Sequence, residues 1–138
     1  RALTSMLIAG IAEPFNYKVA DRYLKEGKVV VFGGGTGNPY FTTDTGAALR
    51  AVEIKADALL LAKNVDGIYD SDPKVNPNAK KYVEISYDDF IANHLRAMDT
   101  TAITICMENK IPVLAFGLFE ENALLRAVKG EQIGTIIK

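Results

Sequence analysis

The sequence predicts an α/β fold: an open, mainly parallel sheet with helices on both faces. Three observations predict it. Short, continuous apolar runs at Val29–Phe32, Ala56–Ala62 and Ile111–Phe116 have the length of strands covered on both sides. Segments with helical spacing of apolar residues separate these runs. The first run ends in Gly33-Gly34-Gly35-Thr36-Gly37, a turn that leads into a helix start. Strands alternating with helices in this way place helical layers against a sheet.

Arg1–Ala12 carries Leu3, Met6, Leu7, Ile8 and Ile11 as a rough helical stripe, limited by Gly10 and Pro14. Such an apolar helix is expected to pack on a partner subunit. Tyr17–Glu26 is a second helix with Val19, Ala20, Tyr23 and Leu24 inward, and Gly27 stops it. Lys28 opens the first strand. After the glycine turn, Thr42, Thr43 and Asp44 are good N-cap types. Thr45–Lys55 follows as a helix with Ala48, Leu49, Ala51 and Val52 inward. Ala56–Ala62 is the next strand, and the strand–helix–strand spacing predicts a right-handed parallel crossover.

Lys63 to about Glu84 is a long polar loop rich in Asp, Asn, Pro and Gly. Loops of that length are usually functional or disordered. Ser86 begins another helix, with Asp89 in place of the usual Glu of a capping box, and Asn93-His94 break it. Ala97–Asn109 is a further helix. Ile111–Phe116 is the third strand, with Pro112 near its start, where a missing ladder bond matters least. Glu120–Val128 is the last helix and Thr135–Ile137 a short final strand. There is no internal repeat.

At 138 residues the prior is one domain, 1–138, with enough chain for a real core. A hydrophobic content of 49% and a charged content of 24% are those of a globular protein. The net charge of −1 excludes nucleic acid as a main partner. No apolar run approaches the ~20 residues of a membrane span, and no secretory leader is visible. The single cysteine, Cys106, cannot form an internal disulfide, which fits a cytoplasmic setting. Cys106 lies in the apolar stretch Ala102–Met107 and reads as core, a reactive thiol being the alternative. The chain opens Arg-Ala-Leu-Thr-Ser-Met, apparently inside a helix, so it is expected to be a fragment or to lack its first part.

The glycine turn carries the strongest chemical signal. Glycines remove side-chain bulk where the strand ends, so backbone N–H groups can approach an anion at the positive end of the next helix. That pattern describes a phosphate cradle; the alternative is a tight turn that binds nothing. It is not a Walker A loop, because no Gly-Lys-Ser/Thr closes it. Nor is it the dinucleotide fingerprint, because Asn38 stands where the third glycine belongs. Ligands of open α/β sheets sit beyond the carboxyl ends of the strands. If the first two strands are neighbours, Lys63-Asn64-Val65-Asp66-Gly67-Ile68-Tyr69-Asp70-Ser71-Asp72-Pro73 faces the same crevice. There Lys63 can neutralise phosphate oxygens and Tyr69 offers a flat ring to a base. Asp70 or Asp72 can accept from ribose hydroxyls or stand near Mg²⁺. A solvated acidic loop is the alternative. The Asp spacing lacks the sixth-position glycine and closing Glu of an EF-hand. Asp99 is an N-cap or a site carboxylate. The lone histidine, His94, reads as a surface loop residue.

Gly35-Thr36-Gly37-Asn38-Pro39-Tyr40-Phe41-Thr42-Thr43-Asp44 closely resembles the acceptor loop of bacterial UMP kinases, within the amino acid kinase family. Val65–Pro73 resembles the ATP-side loop shared across that wider family. Met98-Asp99-Thr100-Thr101-Ala102 and Gly130-Glu131-x-x-Gly134-Thr135 match UMP kinases as well. The resemblance covers essentially the whole chain, which looks like a C-terminal portion of a little over half.

The resemblance implies transfer of a phosphoryl group from ATP to UMP, with Mg²⁺. It implies that Thr36, Gly37, Asn38, Pro39, Tyr40, Phe41, Thr42 and Thr43 bind UMP and that Lys63, Tyr69 and Asp72 contact ATP. Asp44 and Asp99 match acidic positions near the site and are the catalytic candidates. No residue is assigned to a metal. A homohexamer is implied, with GTP or UTP as effectors, Arg1 falling where some members hold GTP. The resemblance also implies a donor-phosphate grip outside these residues, so the chain alone is expected to turn over little. The rival readings are a nucleotide- or oxoanion-binding storage protein of the same fold and another phosphotransferase of the family.

Overall fold

A computed structural model describes residues 1–138. The elements are β1 (Ala2–Thr4), β2 (Glu13–Pro14), α1 (Tyr17–Lys25), β3 (Val31–Gly33), α2 (Thr43–Glu53) and β4 (Leu59–Lys63). Then come β5 (Glu84–Ile85), α3 (Tyr87–Ala92), α4 (Thr100–Glu108), β6 (Val113–Gly117), α5 (Ala123–Val128) and β7 (Thr135–Ile137). They build two sheets. One is wholly parallel, in the order β2-β1-β3. The other runs β4-β6-β7-β5, parallel except for the antiparallel β6–β7 pair.

The predicted α/β architecture holds, and β6 shows why. Its successive side chains point to opposite faces. Val113 and Ala115 join Ala102, Ile103 and Cys106 of α4, Ala48 of α2 and Phe90 of α3 in the main core. Phe116 turns the other way, against Ala123 and Ala127 of α5. Helices therefore flank β6 on both faces. At Gly134, a Cβ would stand 2.0 Å from the Ala115 carbonyl oxygen, so only glycine lets β7 approach β6 this closely.

Thr42 and Ser86 cap α2 and α3 as expected, whereas α4 and α5 start three residues later than expected, at Thr100 and Ala123. Asn16 caps α1, and its side chain accepts from the N–H groups of Lys18 and Val19. Ser86 caps α3 by accepting from Asp89 N at 3.0 Å. Its hydroxyl also donates to the Asp89 carboxylate at 2.7 Å, where a capping box would use the Ser86 N–H. His94, at φ 51°, ends the segment after α3 as expected.

Four expectations are corrected. Arg1–Ala12 is not a helix. Ala2–Thr4 is the central strand of the small sheet, paired on both sides, and Leu3 is buried against Ala20 and Tyr23. The rest of the supposed stripe, Met6, Leu7, Ile8 and Ile11, is exposed in turns. Backbone pairing on two edges overrode a loose helical pattern. The Ala56–Ala62 run is not doubly covered, since only Leu61 is buried while Leu60 and Ala62 are exposed, and neither is the Val29–Phe32 run. Its strand starts at Val31 and has β1 on one edge only, and Val29 and Val31 are 82% and 61% exposed.

The predicted crossover from the first strand to the second is also absent, because β3 and β4 belong to different sheets. Residues at the end of β3, along α2 and at the start of β4 line a cavity of about 480 Å³ instead. Finally, the polar loop after Lys63 is not wholly irregular. Tyr69 and Lys81 form a bridge, and Glu84–Ile85 pairs with Ile136–Ile137 of β7.

Candidate functional site

The glycine-rich loop lies between the two sheets, joining β3 to α2. Its entry is pinned from β1: the Ser5 hydroxyl donates to Gly35 O at 2.6 Å, and Arg50 of α2 donates to the Ser5 oxygen at 3.0 Å. Within the loop, Thr36 Oγ1 accepts from Asn38 N at 3.0 Å, while Asn38 Nδ2 donates to Thr36 O at 3.3 Å. These contacts hold a bend that leaves Tyr40 fully exposed at φ 70°. The start of α2 lies directly on the loop. A Cβ at Gly46 would meet Gly35 C at 3.1 Å, so glycine there permits the close packing of helix on backbone. Gly34–Pro39, Phe41–Thr43 and Met6 line a shallow cavity of about 400 Å³, and Tyr40 lies outside it.

Thr42 is the N-cap of α2, and its oxygen accepts from Asp44 N at 3.1 Å and Thr45 N at 3.4 Å. The same hydroxyl donates to Asp99. Asp99 is in turn the N-cap of α4, accepting from Ala102 N at 2.8 Å, and it accepts from Thr45 Oγ1 at 3.1 Å. One carboxylate thus ties together two helix N-termini whose partial positive charges favour it. Burial pushes the Asp99 carboxyl up. The Thr42 and Thr45 hydroxyls and the Ala102 N–H outweigh that and hold it below the usual carboxylate range. Asp99 is thus an N-cap, and it also lines the cavity that holds Asp44 and Lys63.

Asp44, in the first turn of α2, accepts from Lys63 Nζ at 3.4 Å. Asp44, Lys63 and Asp99 share a cavity of about 780 Å³ with His94, Arg96 and Thr100. A further cavity of about 650 Å³ lies over the second loop and includes Lys63, Tyr69 and Asp72.

That second loop is internally braced. Asp66 accepts from Lys81 Nζ and from Tyr69 Oη, both at 2.8 Å. The Lys81 ammonium, and then the Tyr69 hydroxyl, hold the Asp66 carboxyl below its usual range against the effect of burial. The hydrogen bond to Asp66 pushes the Tyr69 phenol up. Asp72 caps a turn by accepting from Lys74 N at 2.9 Å. Asp70 accepts from Lys80 N at 2.9 Å, which, with the Ser71 hydroxyl, holds its carboxyl low. No three His, Cys, Asp or Glu side chains converge as metal ligands. The residues present do not make a metal cage of their own, and Mg²⁺ is bound most readily through nucleotide phosphates.

The sequence candidates therefore fall into three adjoining hollows. Thr36–Pro39 and Phe41–Thr43 line one, Asp44 and Asp99 the second, and Tyr69 and Asp72 the third, with Lys63 common to the last two; of the candidates, Tyr40 alone lines none of them and stands exposed. Two contributors were missed. Thr45 is buried and bonded to Asp99, and its position one turn into a helix was the available signal. Arg96 lines two of the hollows, and nothing in its local sequence distinguishes it from a solvated arginine.

The loops beyond the strand ends and the N-termini of α2 and α4 meet in these hollows, on an α/β scaffold. The model of the amino acid kinase family matches residues 3–116, and the chain belongs to that family. It is 48% identical over 139 residues to a uridylate kinase of Deinococcus radiodurans, covering all of this chain and 57% of that protein. Among solved structures it resembles UMP kinase of Bacillus anthracis, with a TM-score of 0.97 and 37% identity over all of this chain and 57% of the other. It also resembles UMP kinase of Ureaplasma parvum, with a TM-score of 0.93 and 36% identity over 99% of this chain and 59% of the other. The chain spans a little over half the length of these relatives. No helix in it is long and apolar enough to cross a membrane.

Proposed function

We propose that these residues form the C-terminal portion of a UMP kinase, carrying the acceptor loop and the ATP-side loop for ATP + UMP → ADP + UDP. The observation that carries this reading is the acceptor loop, Thr36–Thr43, held against α2 and joined through Thr42 and Asp99 to α4. Relatives named uridylate kinase and UMP kinase support it.

An anionic oxygen of the UMP phosphate attacks the γ-phosphorus of ATP. The bond from that phosphorus to the β,γ-bridging oxygen breaks, and its electron pair stays on ADP. The attacking oxygen is already ionised, so no strong general base is needed. Catalysis is positioning and charge neutralisation. Thr36, Gly37, Asn38, Pro39, Tyr40, Phe41, Thr42 and Thr43 hold UMP. Lys63, Tyr69 and Asp72 hold the donor, which brings Mg²⁺ on its phosphates. Asp44 and Asp99 act as positioning residues: Asp44 aims Lys63, and Asp99 fixes the two helix N-termini. A cytoplasmic homohexamer with nucleotide effectors belongs to the same proposal.

Titration of the 138-residue protein with UMP tests the reading, alongside a coupled assay with MgATP and UMP. Saturable UMP binding with little turnover is expected, the donor-phosphate grip lying in the rest of a longer protein. Failure to bind UMP overturns the reading. Full turnover overturns the assignment of that grip to other residues.

A further inference from the structure

The hollow that holds Asp44 and Asp99 and the hollow over the second loop share Lys63, His94, Leu95, Arg96 and Ala97. On the function proposed above, the donor occupies the hollow over the second loop, so these shared residues line the donor's hollow on the side of Asp44 and Asp99. Two strong cations are among them. Lys63 is already engaged by Asp44 at 3.4 Å. Arg96 takes part in none of the molecule's eight ion pairs.

The chain presents Arg96 at that junction by construction. Asn93 caps the C-terminal end of α3, and His94 turns the backbone at φ 51°. Met98, 4% exposed, anchors the segment in the main core, and Asp99 then opens α4. Arg96 lies between these two fixed points with its side chain exposed. The nearby carboxylates have other partners: Asp44 has Lys63, and Asp99 has Thr42, Thr45 and the Ala102 N–H. An unpaired guanidinium is a planar fork of donors that matches phosphate oxygens in two-point contact.

We infer that Arg96 is a donor-phosphate contact, engaging the terminal phosphates of the nucleoside triphosphate where the two hollows meet. It adds a cation from this chain to whatever the rest of a longer protein supplies. Its chemistry predicts dependence on the number of phosphates: the contact is made with a triphosphate and not with a monophosphate.

The test is equilibrium binding of ATP, AMP and UMP to the 138-residue protein and to its R96Q and R96K variants. Arg96→Gln is expected to weaken ATP about tenfold, the scale of one charge-assisted contact, and to leave AMP and UMP unchanged. Arg96→Lys keeps the charge but not the fork and is expected to recover part of the loss. Equal ATP binding by the wild type and Arg96→Gln overturns the inference while the proposed function stands. So does a parallel weakening of ATP, AMP and UMP, which marks a structural role. If the wild type binds UMP but no ATP, the donor side fails and the inference with it. If it binds neither nucleotide, the proposed function itself fails.

Discussion

The two sheets are held together in different ways. The four-stranded sheet has helices on both faces of β6, and its main core joins thirteen buried residues, eleven from three helices and four strands and two, Ile68 and Met98, from loops. The three-stranded sheet rests on three buried residues, Leu3, Ala20 and Tyr23. It makes up part of the difference with aromatic contacts near the surface. Phe15 and Phe32 meet edge to face at 5.7 Å, and the Arg50 guanidinium lies 3.6 Å over the Phe15 ring. Arg1, Arg22 and Lys28 all lie within 5.3 Å of the Tyr23 ring centre. Such contacts are individually small at exposed sites. The glycine-rich loop starts in the weaker sheet, at β3, and ends in α2, which packs on the stronger one. Its shape therefore depends on both, and Ser5 and Arg50 are the link between them.

The largest expected effect comes from the strong side. Ile103, fully buried in the main core, is expected to cost about 3–4 kcal/mol when cut to alanine, by lost burial and a residual cavity. Leu3→Ala is expected to cost about 2 kcal/mol, because its sparser surroundings can close around the gap. Chemical denaturation measures both, and hydrogen exchange separates them. Ile103→Ala is expected to speed exchange throughout the molecule, and Leu3→Ala mainly in β1, β2 and β3. If both variants loosen both sheets alike, the contrast fails and the molecule opens as one unit.

The contrast also explains what was legible in the sequence. α1, α2, α3, the Ser86 and Thr42 caps and the strands β4, β6 and β7 were readable, because caps and buried runs are local patterns. β1, β2 and β5 were not. Each is two or three residues long and is a strand only because of its partners: Glu84–Ile85 beside Ile136–Ile137, and Ala2–Thr4 beside Val31–Gly33. The separation of β3 from β4 was equally hidden, since the spacing of one strand–helix–strand unit says nothing about which edges pair. At the site, the glycine turn and the polar loop carried their own signals. The union of Thr45 with Asp99 joins residues 54 positions apart and needed the folded helices to be seen.

Asp99 gives the intermediate effect, on the helix-to-helix tie. Asp99→Ala is expected to cost about 1–2 kcal/mol at neutral pH, as the loss of a helix cap does. The pH dependence follows from the lowered carboxyl. A carboxyl whose folded pKa is depressed contributes its stability above the unfolded value, about 3.9 for Asp. That contribution is lost as pH falls toward the folded value. The gap between wild type and Asp99→Ala is therefore expected to narrow below about pH 4. Asp99→Asn keeps an acceptor for the Ala102 N–H and is expected to retain most of the stability while flattening this acid dependence. Acid titrations of the unfolding midpoint measure all three proteins. An undiminished gap at pH 3 would show that the charge on Asp99 contributes nothing.

The finest probe changes no residue of either sheet. Cys106 is fully buried in the main core, and burial pushes its thiol up to about 11. The folded protein then offers almost no thiolate, so alkylation at neutral pH waits for the core to open. The labelling rate should rise about tenfold for each 1.4 kcal/mol that a variant takes from that core. Asp99→Ala, which loosens the start of α4, is expected to speed labelling by about that factor. Leu3→Ala is expected to leave the rate nearly unchanged, because opening the small sheet does not expose α4. If Leu3→Ala speeds labelling as much as its full stability loss allows, the small sheet and the core open together. The glycine-rich loop would then be held by one cooperative structure, not slung between a firm side and a yielding one.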